Sequence, residues 1–367
     1  MTVQVRVPGK LFLAGEYAVV EAGYPALIAA INRFLTVSVE ESSQGSVTSS
    51  QQGLTVAWQR EGEQLLFSEA QTYPLVFAAM QMAESYLCSL GQPPSCPYAL
   101  SIDSQLDDQE SGVKYGLGSS GAVTVATIKA VLAFFGQEVS AYRLYQLAAL
   151  TQVQLGMKGS LGDLASSSYG GVIAYRSVDR SWLKKTLEAH SLTDVLEMPW
   201  KGLAIERIQL PQDLSLLVGW TGRAASTEGL VSQMGQGRQE AEKEDFYQNF
   251  LAASQTCLAG LIEACREDDA RAFREGIAEN RRLLQAFASQ MNLVIETPAL
   301  ARLCQLAEEA GAVAKSSGAG GGDCGICFVT GKKEADQIGQ KWQEAGIVPL
   351  DFALAHENYV RPDERRR

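Results

Sequence analysis

Three stretches of this chain gather residue types suited to holding phosphate: GLGSSG at 116–121, GMKGSLGDLASSSYGG at 156–171 and KSSGAGGGDCG at 315–325. Glycine lets a backbone approach a phosphate closely, and a helix N-terminus offers amides without partners at the positive end of the macrodipole. Ser119 and Ser120 add hydroxyls for phosphate oxygens or a magnesium ion, just where the apolar run AVTVATIKAVLAFF begins. A glycine-rich helix entry with a serine cap would use the same residues, so this motif alone leaves both readings open. Asp163 is likewise either a functional carboxylate among small residues or the N-cap of LASSSY.

Known glycine motifs fit the first stretch incompletely. The dinucleotide pattern G-x-G-x-x-G must follow a strand at once, whereas the polar run SQLDDQESGVKY follows PYALSID. The protein-kinase version requires H-R-D and D-F-G downstream, and neither occurs. A Walker A loop ends in G-K-[ST], where this chain has G-A-V. The third stretch, starting at Lys315, has more glycine than a hairpin of about two to five turn residues needs, which implies a backbone wrapped around something.

The elements around these loops read as a mixture of strands and helices. TVQVRV alternates as a half-buried strand that Pro8-Gly9 is expected to end, and FLTVSVE, GLTVAWQ and PYALSID follow as further strands. Residues 73–90, 119–135 and QEVSAYRLYQLAALTQ carry helical spacing, and SSYGGVIAYRS returns as a strand. The polar run 176–200 reads as a crossing between domains, expected to divide residues 1–185 from 186–367. Beyond it come the strand LSLLVGWTG, helices at about 238–266 and 268–290, and a helix capped by Thr297 with Pro298 at N1. Two strands around the third glycine stretch, the helix KKEADQIGQKWQEAG and the strand VPLDFALA complete an α+β layer architecture.

Composition narrows the function. A chain of 367 residues is long enough for two cores. The formal net charge is -11, from 31 Lys and Arg against 42 Asp and Glu, so no broad basic footprint exists for nucleic acid or anionic membrane. The start MTVQVRVPGK lacks the basic and apolar regions of a secretion signal, and no apolar run reaches membrane-spanning length. Seven cysteines do not form a disulfide framework and suit a reducing cytosol. CGIC at 324–327 lies in an expected strand, where positions i and i+3 face opposite sides, so two buried cysteines are expected rather than a metal or redox pair. The two histidines, His190 and His356, fall in no hydrolase motif and are expected at the surface or in packing.

In chain order, VPGKLFLAGEYAVVEAGYPAL, KYGLGSSGAVTVA and AKSSGAGGGDCG resemble the three motifs of the GHMP small-molecule kinases, over residues 5–330. GLGSSG followed by alanine, GSLGDLAS, VGWTGRAAST and AKSSGAGGGDCGI are most similar to the versions in the family's bacterial phosphomevalonate kinases. The resemblance implies an N-terminal domain like the second domain of ribosomal protein S5, a ferredoxin-like C-terminal domain and an active site between them. It implies ATP and Mg2+ as cofactors and (R)-5-phosphomevalonate as substrate, in a cytoplasmic monomer or homodimer of the mevalonate route to isoprenoids.

Site residues carry over position by position. The resemblance implies that Gly116, Leu117, Gly118, Ser119, Ser120 and Gly121 hold ATP phosphates, with Ser120 and Asp163 at the metal. Lys10 matches the family's cleft lysine. Lys114, Ser160, Ser226 and Ser317, followed by Gly318 and Ala319, match positions on the phosphorylated acceptor. Arg223 is either a further cation for the substrate or a solvated side chain. Asp163 aligns with the aspartate usually called the base in mevalonate-type kinases, yet a phosphate monoester with a second pKa of about 6 is already ionised at neutral pH. Its expected role is therefore to orient Lys10 and the metal. Mevalonate kinase, diphosphomevalonate decarboxylase and a catalytically silent nucleotide sensor are the alternatives. The motif wording counts against the first two, and the presence of Lys10, Ser120 and Asp163 against the third.

Overall fold

The computed structural model describes residues 2–51, 53–108, 111–223, 241–355 and 359–362, the last four by backbone alone. Two long strands, β1 (Thr2–Ala14) and β2 (Pro25–Glu41), pair antiparallel over most of their length. Pro8-Gly9 does not end β1 as expected. The register shifts between these two residues, so a bulge absorbs the missing N–H of proline and the strand runs on.

β2 changes partner along its other edge. Its second half pairs with β6 (Tyr98–Ser104), while its first half pairs with β7 (Val172–Arg176). β3 (Gly45–Ser49), β4 (Thr55–Glu61) and β5 (Gln64–Phe67) extend the sheet beyond β6. β8 (Ala204–Ile208) joins β7, and the late strand β13 (Tyr359–Pro362) joins β1. Strands from both sides of residue 185 therefore share one sheet.

Helices α1 (Pro74–Ser89), α2 (Ser119–Phe134), α3 (Ala141–Gln154) and α4 (Gly162–Tyr169) pack on this sheet and on one another. α2 is their hub. It touches β1, β2, α1, α3 and α4, which is why it is apolar nearly all round. The polar run read as a crossing forms two short helices, α5 (Arg180–Ala189) and α6 (Leu192–Glu197). Asp179 and Ser191 cap them, and Leu183, Val195 and Leu196 enter the main core, anchors too sparse to stand out in so polar a run.

The second sheet comprises β9 (Ser215–Trp220), β10 (Val313–Ser316), β11 (Cys324–Val329) and β12 (Val348–Leu350). Its order is β10-β11-β9-β12 with every pairing antiparallel, the 4-1-3-2 arrangement of a ferredoxin-like unit. α7 (Ala241–Arg266), α8 (Ala270–Met291), α9 (Pro298–Glu308) and α10 (Lys332–Glu344) complete it. Cys324 and Cys327 of β11 are buried in different apolar clusters, one on each face of the sheet, and all seven cysteines are free thiols. His190 is exposed, and His356 lies outside the described residues.

The expected cap of α9 is present: Thr297 accepts a hydrogen bond from the Leu300 N–H, with Pro298 at N1. Thr297→Ala should cost about 1 kcal/mol, read as a lower Tm with unchanged Michaelis constants.

Candidate active site

The first glycine loop is fastened to the middle of β1. Leu117 is buried, and its carbonyl accepts the Lys10 backbone N–H at 2.9 Å. One residue earlier, the Gly116 carbonyl accepts the Lys10 ammonium, also at 2.9 Å. Gly118 then turns into α2 with φ +77°, a left-handed conformation suited to glycine. As the cap residue it has no side chain, so the amides of the first turn receive no side-chain cap and remain available to an anion. Ser119 and Ser120 are the first two helical residues, so the serine-cap reading does not hold.

Asp163 is not a cap either. Leu161 occupies the cap of α4 in a left-handed conformation, and Asp163 sits in the first turn. Its carboxylate lies against Gly121, so close that a methyl group on that residue would overlap it. Burial lifts the Asp163 pKa above the usual carboxylate range, opposed by the Lys10 charge and nearby backbone N–H groups. Burial also lowers the Lys10 pKa, opposed first by Asp163 and then by Asp323. The two groups are partly buried and partly neutralise each other's desolvation.

Together these elements line a cleft of about 330 Å³. Of the expected residues, Lys10, Lys114, Gly116, Leu117, Gly118, Ser119, Ser120, Ser160, Asp163, Gly318 and Ala319 border it. Gly121 lies just behind, against Asp163. Ser317 is buried outside the lining and donates its hydroxyl to the Phe12 carbonyl at 2.9 Å, a bond that ties the third glycine loop to β1. Arg223 is exposed and does not border the cleft, and its carbonyl accepts the Asp323 N–H at 2.7 Å. Ser226 lies outside the described residues.

Three lining residues with polar side chains escaped the sequence reading. Lys158 adds a third cation beside Lys10 and Lys114, Asp323 abuts Gly116, and Gln152 turns toward the cleft from the end of α3. Gln152 is buried, and its amide nitrogen has no hydrogen-bond partner among the described residues. Lys158 and Asp323 stand inside the quoted loops, so the signal was present, but nothing in their spacing says which way they face. Arg180 holds the 157–160 segment by donating to the Gly159 carbonyl at 2.8 Å and to that of Met157, while the Tyr175 hydroxyl donates to the Ser160 carbonyl. Three lysines, uncapped helix amides, serine hydroxyls and a carboxylate in one cleft are the equipment of phosphoryl transfer, which depends on positioning and charge stabilisation.

The comparisons with known proteins agree with that class. The model described as GHMP kinases N terminal domain matches residues 75–171, and the one described as GHMP kinases C terminal matches 261–348. The chain belongs to the GHMP kinase family. It is 37% identical to the phosphomevalonate kinase of Streptomyces sp. (strain CL190), over 97% of this chain and 98% of that protein. The crystal structure of the Listeria innocua protein Lin0012 superposes with a TM-score of 0.92 at 38% identity, covering 98% of this chain and 99% of that one. The Streptococcus pneumoniae phosphomevalonate kinase in complex with phosphomevalonate and AMPPNP has a TM-score of 0.84 at 30% identity, over 96% and 99% of the two chains.

Two outcomes follow from this geometry. Gly121→Ala should displace the Asp163 carboxylate and lower kcat by on the order of 100-fold in a protein that still unfolds cooperatively. A carboxyl with a higher pKa folded than unfolded binds more protons in the folded state, so stability falls as pH rises from about 4 through the folded value. In metal-free buffer, Asp163→Asn should therefore raise Tm at pH 7, and the gain should vanish below about pH 4. An equal Tm at pH 7 would contradict the assignment.

Proposed function

We propose that this chain transfers the γ-phosphoryl group of ATP to the phosphate of (R)-5-phosphomevalonate, giving (R)-5-diphosphomevalonate and ADP. The observation that carries the reading is the convergence of Lys10, Lys114 and Lys158 on a cleft floored by the uncapped start of α2, in a chain otherwise rich in carboxylates. A doubly anionic acceptor meeting a triphosphate concentrates negative charge, and fixed cations offset that repulsion at the moment of transfer. Near-full-length similarity to phosphomevalonate kinases supports the same acceptor.

In this reading the amides of residues 119–121 and the Ser119 hydroxyl hold ATP phosphates, while Lys114, Ser160 and the Gly318–Ala319 backbone border the acceptor. Lys10, fixed by Gly116 and Leu117, lies between the two. An oxygen of the acceptor phosphate attacks the γ-phosphorus as the bond to the ADP oxygen breaks. That oxygen is ionised at neutral pH, so Asp163 need not remove a proton and instead holds Lys10 in its charged form. The oxygen donors at Ser120 and Asp163 suit Mg2+, which takes one or two protein oxygens and completes its shell with water and phosphate. When bound, the ion neutralises charge on the β- and γ-phosphates. A cytosolic enzyme of isoprenoid synthesis fits the free thiols and the lack, among the described residues, of a helix long and apolar enough to cross a membrane.

ADP release should be seen with magnesium and ATP when 5-phosphomevalonate is added, and not with mevalonate or 5-diphosphomevalonate. Turnover of another acceptor would overturn the substrate, and silence with all three would favour a nucleotide sensor. Activity should be lost in EDTA and restored by Mg2+. In the pH-rate profile of Asp163→Asn the fall in rate at low pH should persist, while the basic limb moves to lower pH because Lys10 loses the carboxylate that favours its charge; loss of the acidic limb would instead assign proton transfer to Asp163.

A further inference from the structure

The turn after β1 carries a backbone feature that the transfer chemistry does not explain. Tyr17 has φ 62° and ψ -50°, a positive-φ conformation outside the left-handed helical region that a residue with a Cβ keeps only when its surroundings impose it. The surroundings here are specific. The ring is buried with its centroid 5.0 Å from that of Phe287, and the hydroxyl donates to the Ala319 carbonyl at 2.6 Å. The preceding residue, Glu16, accepts through one carboxylate oxygen from the Gly318 N–H at 3.3 Å and from the fully buried Lys315 ammonium at 2.5 Å. Two consecutive residues thus hold Gly318 and Ala319, the segment by which the third glycine loop borders the cleft. The opposite side of that loop is held separately, by the Gly321 N–H donating to the Ile295 carbonyl at 2.8 Å.

We propose that Glu16 and Tyr17 form a latch that sets the Gly318–Ala319 backbone in its acceptor-binding position before any ligand arrives, with Tyr17 as a positioning residue. The inference rests on the reading that this segment borders the acceptor. A loop this rich in glycine loses much conformational freedom when it orders, and bonds already made in the free protein remove that loss from the binding step. The positive-φ backbone at Tyr17 aims the phenol at Ala319, and packing against Phe287 maintains it. Burial raises the phenol pKa, so the hydroxyl stays a donor across the working pH range. A cavity of about 70 Å³ bounded by Phe12, Tyr17, Val19 and Ala319 lies beside the latch.

Tyr17→Phe keeps the ring and its packing and removes one hydrogen bond. In the full-length enzyme the KM for 5-phosphomevalonate should rise roughly 2–10-fold, with the KM for ATP and the Tm little changed. Backbone amides of residues 316–322 should exchange with deuterium faster in the ligand-free variant than in the parent. Unchanged exchange in that loop, or an equal rise in both Michaelis constants, would overturn the latch. The exchange measurement needs no substrate, so if the parent fails to use 5-phosphomevalonate, the acceptor reading falls while the latch is still judged by exchange.

Discussion

The cleft depends on a cation that is costly to place. Lys10 sits part-way into the interior, where loss of water disfavours its charge, and the protein answers by surrounding it with acceptors and carboxylates. Its backbone N–H and its ammonium bind consecutive carbonyls of the first glycine loop, so the cation and the start of α2 form one rigid unit. The register of β1 against β2 shifts immediately before Lys10, between Pro8 and Gly9, where β2 carries the extra residues Asn32 and Arg33. A methyl on Gly9 would meet Leu106 and Leu117, so the approach is close on this side as well.

The same constraint explains the desolvated carboxylate. Asp163 has a raised pKa and would be easier to bury as an amide, yet its field favours the charged form of Lys10. Stability is given up at these positions to hold charges where phosphates would meet, as is common where a site is preorganised. The buried Glu16–Lys315 pair extends the pattern by joining β1 to the third loop across nearly the whole sequence. One oxygen of Glu16 has no hydrogen-bond partner among the described residues, so the pair is better understood as fixing geometry than as adding stability.

The two sheets meet around the same short segment of chain. Phe12, Glu16 and Tyr17 bond to Ser317, Lys315, Gly318 and Ala319, while Lys10 bonds to the loop before α2. Residues 10–17 are therefore where both glycine loops are tied down. A late strand, β13, returns to the outer edge of β1, which places the two ends of the described chain side by side.

What the sequence determined by itself was local. Apolar periodicity placed α2 within a residue of its ends, the Thr297-Pro298 pair marked the start of α9, and strand parity put Cys324 and Cys327 on opposite faces. The composition of the glycine loops, read together with the family likeness, named most of the cleft lining. Tertiary structure alone decided the rest. That Asp163 is no cap depends on the backbone of Leu161, and that Ser317 bonds to Phe12 instead of bordering the cleft depends on how β10 meets β1. Lys158, Asp323 and Gln152 reach the cleft through loops and helices whose directions are set by partners far along the chain. The physical reason is that helix, strand and cap signals act over a few residues, whereas side-chain convergence depends on contacts between segments 100 to 300 residues apart, such as Lys10 with Gly116 and Glu16 with Lys315.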